Sequence, residues 1–385
     1  MILDGKSILV TGGTGTFGRA FVRHVLEQHD PRRVIVYSRD ELKQFELRQE
    51  LSSPKLRFFI GDVRDRDRLQ RAFTDVDYVV HAAAMKQVPA AEYNPFEAVK
   101  TNILGAQNII EAAIDRGVKR VVALSSDKAA NPINLYGATK LVSDKLFIAG
   151  NAYAGTQDTR FGVVRYGNVL GSRGSVVQFF RKCRASGVVP VTDLRMTRFW
   201  LTVDEAVRIV LRFIESMGRG EIYIPKLPSM KVVDLARAIA PECRFEEVGI
   251  RPGEKLHEVL VPFDEARLTT EYDDHYIIRH PFAGDPDEPQ PGGRPLHPDF
   301  SYRSNNNTWW LDAPSLLALV GEEPAGGFAE ARSDAAVHDA TGLNTRLLRD
   351  GGAWGARRAT RATGTPPAPI TGRGDDGRPT VSPSV

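Results

Sequence analysis

"SILVTGGTGTFGRAFVRHVLEQ", residues 7–28, decides the fold class. Ser7–Thr11 is a short β-favouring run, a glycine loop follows, and Phe17–Gln28 has the apolar spacing of an amphipathic helix. Gly12, Gly15 and Gly18 satisfy one three-glycine spacing; Gly13, Gly15 and Gly18 satisfy another. In either register glycine permits the tight turn, lets backbone approach a pyrophosphate and lets helix pack on strand. The helix N–H groups then face the phosphates. A glycine triplet alone is weak, but strand before and helix after supply the context it needs. Gly12, Thr14, Gly15, Thr16, Phe17 and Gly18 are therefore expected to cradle a dinucleotide.

The pattern repeats outward from this loop. Arg33–Tyr37, Arg57–Ile60, Tyr78–His81, Arg120–Leu124 and Phe161–Arg165 read as strands. Ala98–Arg116 and Tyr136–Ala149 read as helices between them. Such alternation predicts an α/β fold: a Rossmann-type doubly wound parallel sheet. Tyr78–Val80 and Val121–Leu124 are apolar throughout, as central strands are. The dinucleotide-binding domain is expected over 1–166, with later segments returning to it. Residues 167–320 have longer loops and more proline and are expected to form mainly a smaller, irregular substrate-binding lobe. Residues 321–385 are rich in Gly, Ala, Pro, Arg and Thr and are expected to be a disordered tail, with a short helix at Leu343–Leu348 as the alternative.

Whole-chain properties narrow the function classes. The 385 residues are 42% hydrophobic and carry a formal net charge of +3. No long basic stripe marks a nucleic-acid partner. Cys183 and Cys243 stand far apart with no Cys/His cluster, and the histidines lack metal-ligand spacing, so no metal site is expected. No run reaches the about 18–20 apolar residues of a membrane span. The opening stretch does not read as a signal peptide. A soluble, cytoplasmic protein is expected.

The second strand ends in "VYSRDELK". This strand end normally meets the adenosine ribose. Ser38 and Arg39 stand there, Lys43 lies one helical turn on, and a guanidinium clamps a phosphate with paired donors. NADP is expected; Asp40, which could serve a free ribose, is the argument for NAD. Asp62, in "FIGDVRD", is either a partner for adenine or a cap for a helix over 64–74. Val63, Ala82, Ala83 and Ala84 are assigned to the same cleft.

"SSDKAANPINLYGATK", residues 125–140, carries the chemistry. On a helix, Tyr136 and Lys140 share a face. A unit charge ~4 Å away is worth roughly 4 kcal/mol at an effective dielectric of ~20, or about three pKa units. With a cationic nicotinamide adding to this, Tyr136 becomes a base for a hydroxyl, and Ser126 can bond the same oxygen. Asp127 and Lys128 form a second acid/base pair that simple alcohol oxidation does not need. Adjacent strand residues point to opposite faces. Both can therefore reach one substrate only if the strand has already broken, as Asn131–Pro132 suggests.

"TGGTGTFG" with Tyr136 and Lys140 resembles the extended short-chain dehydrogenase/reductase superfamily. The longer stretch 125–140, with "HAAAMKQVPAAEYNPFEAVKTN", "RYGNVLGSRGSV", "MTRFW" and "GIRPGEKLHE", resembles the inverting UDP-N-acetylglucosamine 4,6-dehydratases that open pseudaminic-acid biosynthesis. The likeness spans roughly residues 3–315. Asp-Lys is its most specific element, since retaining sugar-nucleotide dehydratases have Asp-Glu there and epimerases usually lack the pair. The resemblance implies a homo-oligomeric lyase with tightly bound NADP regenerated each cycle. Tyr136 takes the C4 hydroxyl proton, neutral Lys128 takes the C5 proton, and protonated Asp127 gives a proton to the departing C6 hydroxyl. The group that reprotonates C5 is left unassigned. Lys86 is implied at the hexose end, with a plain loop lysine as the alternative; Gln87 stands where relatives usually have His, which touches sugar selection. Asn102 is implied to order the site. Asn168, Arg173 and Ser175 lie on a glycine-rich segment suited to a diphosphate. Arg251 and Glu254 suit phosphate and ribose. Arg198 is either a substrate contact or an internal ion pair. The competing readings are a UDP-hexose 4-epimerase and a non-catalytic dinucleotide-binding scaffold.

Overall fold

The computed structural model describes residues 2–172, 175–279 and 292–321. These belong to a unit spanning Met1–Gly327; a second unit, Phe328–Val385, lies outside the described residues, as do the expectations for the tail and for Leu343–Leu348.

Six parallel strands form the frame: β1 Ser7–Thr11, β2 Arg33–Ser38, β3 Leu56–Ile60, β4 Tyr78–His81, β5 Arg120–Leu124 and β6 Arg160–Val164. Each lies within a residue of its sequence expectation. Their spatial order is 3-2-1-4-5-6. Glu221–Pro225 joins β6 in parallel, and His275–Arg279, Thr269–Glu271 and Arg294–Pro295 extend the sheet antiparallel. Every residue of β1 and β4 is buried, as helices on both faces require. Chain order reverses between β1 and β4, so the carboxyl ends of these strands open a crevice.

The helix Thr16–Gln28 buries Gly18, Phe21, Val22 and Val25, one stripe at helical spacing. The expected single helix over Ala98–Arg116 differs. The chain forms α-helix at Pro95–Val99, a π-helical turn at Lys100–Leu104 and α-helix again at Gly105–Asp115. The wide turn accommodates Asn102, whose buried amide is fully engaged. Periodicity does not register such an insertion, because the apolar stripe resumes beyond it.

A second apolar cluster lies away from the main sheet and includes Leu170, Phe180, Val189, Trp200, Met230 and Leu235. It packs beside the short sheet of Asn168–Val169, Thr197–Leu201 and Ser229–Lys231. No described helix is long and apolar enough to cross a membrane.

Candidate active site

The crevice is lined by backbone that tolerates no side chains. Gly12 has φ +66°, and a Cβ there would stand 2.9 Å from the Ala83 nitrogen. A Cβ on Gly18 would stand 2.5 Å from the Gly13 Cα. Gly15 caps the following helix without a side-chain bond, and no acidic residue occupies the first turn. A cradle this close to a helix N-terminus fits a pyrophosphate. Thr14 donates to Ser38 Oγ at 3.1 Å, fastening the loop to β2. Thr16 and Phe17 begin the helix; Phe17 also stacks on Phe21.

At the adenosine end the Arg39 side chain is 63% exposed, with Nη1 3.4 Å from Asp62 Oδ2. Asp40 caps the helix Glu41–Glu50 through the Lys43 N–H at 3.0 Å and pairs with the Lys43 ammonium. Its carboxylate is thus committed to the protein. Asp62 receives Arg64 Nε at 2.9 Å, Arg64 Nη2 at 2.7 Å and the Arg64 N–H at 3.0 Å. Burial pushes this carboxyl up, but the bonds from Arg64 outweigh it and hold it below its ordinary value. The next helix, Arg66–Ala72, is capped by Asp65, so Asp62 caps only a local turn. Val63 packs against Gly105. Ala82 and Ala83 bond Thr11 of β1, and Ala84 lines a cavity of 460 Å³ together with Arg39 and Lys86.

The catalytic stretch starts where β5 ends. Ser126 caps a 3₁₀ turn at Asp127–Ala129. This turn removes the strand alternation, and Asp127 and Lys128 meet: Lys128 Nζ donates to Asp127 Oδ1 at 2.9 Å. Ser126 Oγ donates to the same oxygen at 2.8 Å. Asp127 is fully buried, and its Oδ2 has no hydrogen-bond partner among the described residues. Lys128 Nζ also lies 3.4 Å from Glu258 Oε1. Burial pushes the Lys128 ammonium toward neutrality, but Asp127 and Glu258 outweigh it and raise its pKa.

Tyr136 begins the helix Leu135–Tyr153 and is buried. Burial pushes its phenol up to about 12, while Lys128 and the Ser126 hydroxyl pull the other way. The cation that acts most on Tyr136 is therefore Lys128, not Lys140 as the helical spacing suggests. Lys140 instead donates to the Leu124 carbonyl at 2.7 Å. A buried ammonium needs acceptors, and the end of β5 provides one. Burial lowers the Lys140 pKa, with Asp144 partly opposing. Asp144 accepts from Ser125 at 2.7 Å and lies 3.5 Å from the fully buried Arg165.

The substrate expectations divide. Asn168, Ser175, Lys86 and Gln87 line one cavity of 190 Å³ together with Trp200. Asn168 Oδ1, Ser175 Oγ and Trp200 Nε1 are buried without hydrogen-bond partners among the described residues. All three belong to residues that line this cavity. Arg173 lies outside the described residues. Asn102 bonds Met85 through its backbone N–H and C=O, and donates to Thr139 at 2.9 Å, so it ties the loop after β4 to the Tyr136 helix. Arg198 has its Nε 3.4 Å from Glu258, and its other nitrogens donate to the Thr197, Leu256 and Lys255 carbonyls. Arg251 and Glu254 pair at 3.7 Å. Their loop docks through the Gly253 carbonyl, which accepts from Asn134 at 2.8 Å; Asn134 in turn caps the Tyr136 helix. The sequence reading missed Glu258, Lys255, Asp144 and Trp200. Glu258 ends a quoted motif and Trp200 ends another, but spacing alone gives neither a role.

The chain is similar to several known proteins. Residues 8–280 match the model of the polysaccharide biosynthesis protein family. A protein of Campylobacter jejuni named UDP-N-acetylglucosamine 4,6-dehydratase (inverting) is 52% identical over 329 residues, covering 83% of this chain and 98% of its own. A UDP-glucose 4-epimerase of Rickettsia canadensis is 40% identical, covering 72% of this chain and 84% of its own. Among solved structures, Pen from Bacillus thuringiensis superposes with a TM-score of 0.77 at 38% identity, over 83% of this chain and 98% of that one. A dTDP-glucose 4,6-dehydratase from Streptomyces venezuelae with NAD and TYD bound gives a TM-score of 0.59 at 26% identity, over 65% and 86%.

Proposed function

The chain belongs to the polysaccharide biosynthesis protein family, and from this premise we propose that it removes water across C5 and C6 of UDP-N-acetylglucosamine, inverting C5 and using NADP. It is a hydro-lyase of the inverting 4,6-dehydratase type. The observation that carries the mechanism is the 3₁₀ turn that brings Asp127 and Lys128 together beside Tyr136.

The C5 hydrogen of a hexose is not acidic until C4 is a ketone. Tyr136 accepts the C4 hydroxyl proton, helped by Ser126 and the nearby Lys128 charge. A dinucleotide bound on the glycine loop supplies reversible storage of the C4 hydride until C6 can take it. Asp127 and Lys128 share one proton. With that proton on Asp127, neutral Lys128 can take the C5 proton while Asp127 gives its own to the departing C6 oxygen. The pair then stands as carboxylate and ammonium, the state its surroundings favour. The cavity beside Asn168, Ser175 and Trp200 holds the nucleotide diphosphate, and the product enters pseudaminic-acid biosynthesis.

Turnover of UDP-N-acetylglucosamine in deuterated water is the decisive experiment. A 4-keto-6-deoxy product with deuterium at C5 is expected by NMR. A C4 epimer without C5 deuterium would sink the dehydratase reading and favour the epimerase one. For the cofactor, the commitment of Asp40 to its helix and the exposure of Arg39 support NADP. Arg39→Ala should weaken NADP binding at least about tenfold, as loss of a charge-assisted pair implies, and NAD binding little. Equal losses in calorimetry would overturn the choice.

A further inference from the structure

We propose that Glu258 is a positioning residue for the elimination step, holding the Lys128 amine in place when Asp127 carries the proton the two share. This rests on the dehydratase reading above. Glu258 lies 130 residues from Lys128 in the chain yet stands 3.4 Å from its Nζ. It is 2% exposed. The same oxygen is 3.4 Å from Arg198 Nε, and Oε2 is 3.9 Å from Lys255 Nζ. Its backbone is fixed as well: the Glu258 N–H donates to Ser304 Oγ at 2.9 Å, and the Ser304 N–H returns a bond to the Glu258 carbonyl at 2.9 Å. Lys255 donates to the Ala130 carbonyl at 2.6 Å, which ties this segment to the catalytic turn.

Proton accounting shows why a second carboxylate matters. In the resting arrangement the Lys128 ammonium bonds Asp127, and Glu258 is a supplementary contact. For elimination the proton must sit on Asp127, whose O–H then serves the leaving C6 oxygen. The neutral amine has two N–H bonds and one lone pair. Asp127 no longer attracts it as a charge, so Glu258 remains the anionic anchor. An N–H donated to Glu258 leaves the lone pair to be aimed at C5. When C5 is deprotonated, the new ammonium again lies between two carboxylates. Buried carboxylates without such an assignment are costly, and Arg198 and Lys255 offset the cost here.

The test uses the full chain and C5-deuterated UDP-N-acetylglucosamine. Wild-type product formation in deuterated water tests the dehydratase reading and does not depend on Glu258. Glu258→Gln keeps shape and removes the charge. We expect kcat to fall about tenfold, the scale of a lost charge-assisted bond, with KM within about twofold and C4 oxidation unaffected. The primary isotope effect of C5 deuterium on kcat should rise, because C5 proton removal becomes limiting. Glu258→Asp, with charge kept and reach shortened, should recover part of the rate. A purely structural role would slow the enzyme without raising that isotope effect. An unchanged isotope effect, a wild-type rate, or a loss confined to KM therefore overturns the proposal. If the Gln variant does not fold, the Asp variant decides by the same reading: a raised isotope effect supports the role and an unchanged one removes it.

Discussion

Lys128 and Lys140 lie eight and four residues either side of the site's tyrosine stretch of helix and turn, and their surroundings push them in opposite directions. Burial works against the charge on both. Lys128 has Asp127 at 2.9 Å and Glu258 at 3.4 Å, and these overcome it. Lys140 has a peptide carbonyl at 2.7 Å and one carboxylate four residues on, and these do not. Neighbours rather than depth decide the outcome. The division suits two tasks. In the proposed mechanism Lys128 exchanges a proton with the adjacent acid, whereas Lys140 fastens the tyrosine helix to the end of β5.

The largest effect should come from Tyr136, which stands between the two lysines in the chain. Tyr136→Phe removes the proposed base for the C4 hydroxyl, so neither oxidation nor elimination should proceed. Loss of such a group costs ~10² to 10⁴ in rate, and the upper end is expected because both later steps depend on it. Reduced-nicotinamide absorbance should not rise on adding substrate. Lys128→Ala should be slowed within the same range but at a later step: absorbance rises transiently and no 4-keto-6-deoxy product follows. If Lys128→Ala dehydrates at near-normal rate, the contrast between the lysines loses its chemical meaning. If it cannot oxidise C4 either, the Lys128 charge acts chiefly on Tyr136.

Sequence made one side of this comparison much more legible than the other. The glycine loop, six strands and "SSDKAANPINLYGATK" are contiguous, and their meaning follows from local spacing. The strand problem at Asp127–Lys128 was stated by alternation, and the 3₁₀ turn is its physical solution. What surrounds Lys128 was not legible. Glu258, Arg198 and Lys255 surround it from segments about 70 to 130 residues away along the chain, and no periodicity links them. Helical spacing also left the partner of Lys140 open. It places two side chains on one face but does not say which acceptor the ammonium will choose. The π-helical turn at Asn102 was hidden for a related reason, since the apolar pattern continues through it.

The smallest effect expected concerns the charge near Lys140, and it is read in stability rather than turnover. His81, at the end of β4, is buried and bonds Thr11 Oγ1 at 2.8 Å. Burial, with the Lys140 charge adding to it, depresses its pKa to about 3. The unfolded imidazole titrates near ~6.5. A folded pKa below the unfolded one means that the unfolded chain binds the extra proton across this window. The neutral histidine's contribution is therefore complete above about pH 6.5 and lost as pH falls toward 3. Between pH 7 and pH 4 the loss amounts to about 3 kcal/mol at most. His81→Asn has no such proton to bind, so its stability should fall less on acidification than that of the wild type, whatever its stability at neutral pH. Denaturant unfolding of both proteins at the two pH values measures the difference directly. Parallel losses would show that the Lys140 side of the site accepts a second positive charge, and the contrast with Lys128 would then rest on hydrogen bonding alone.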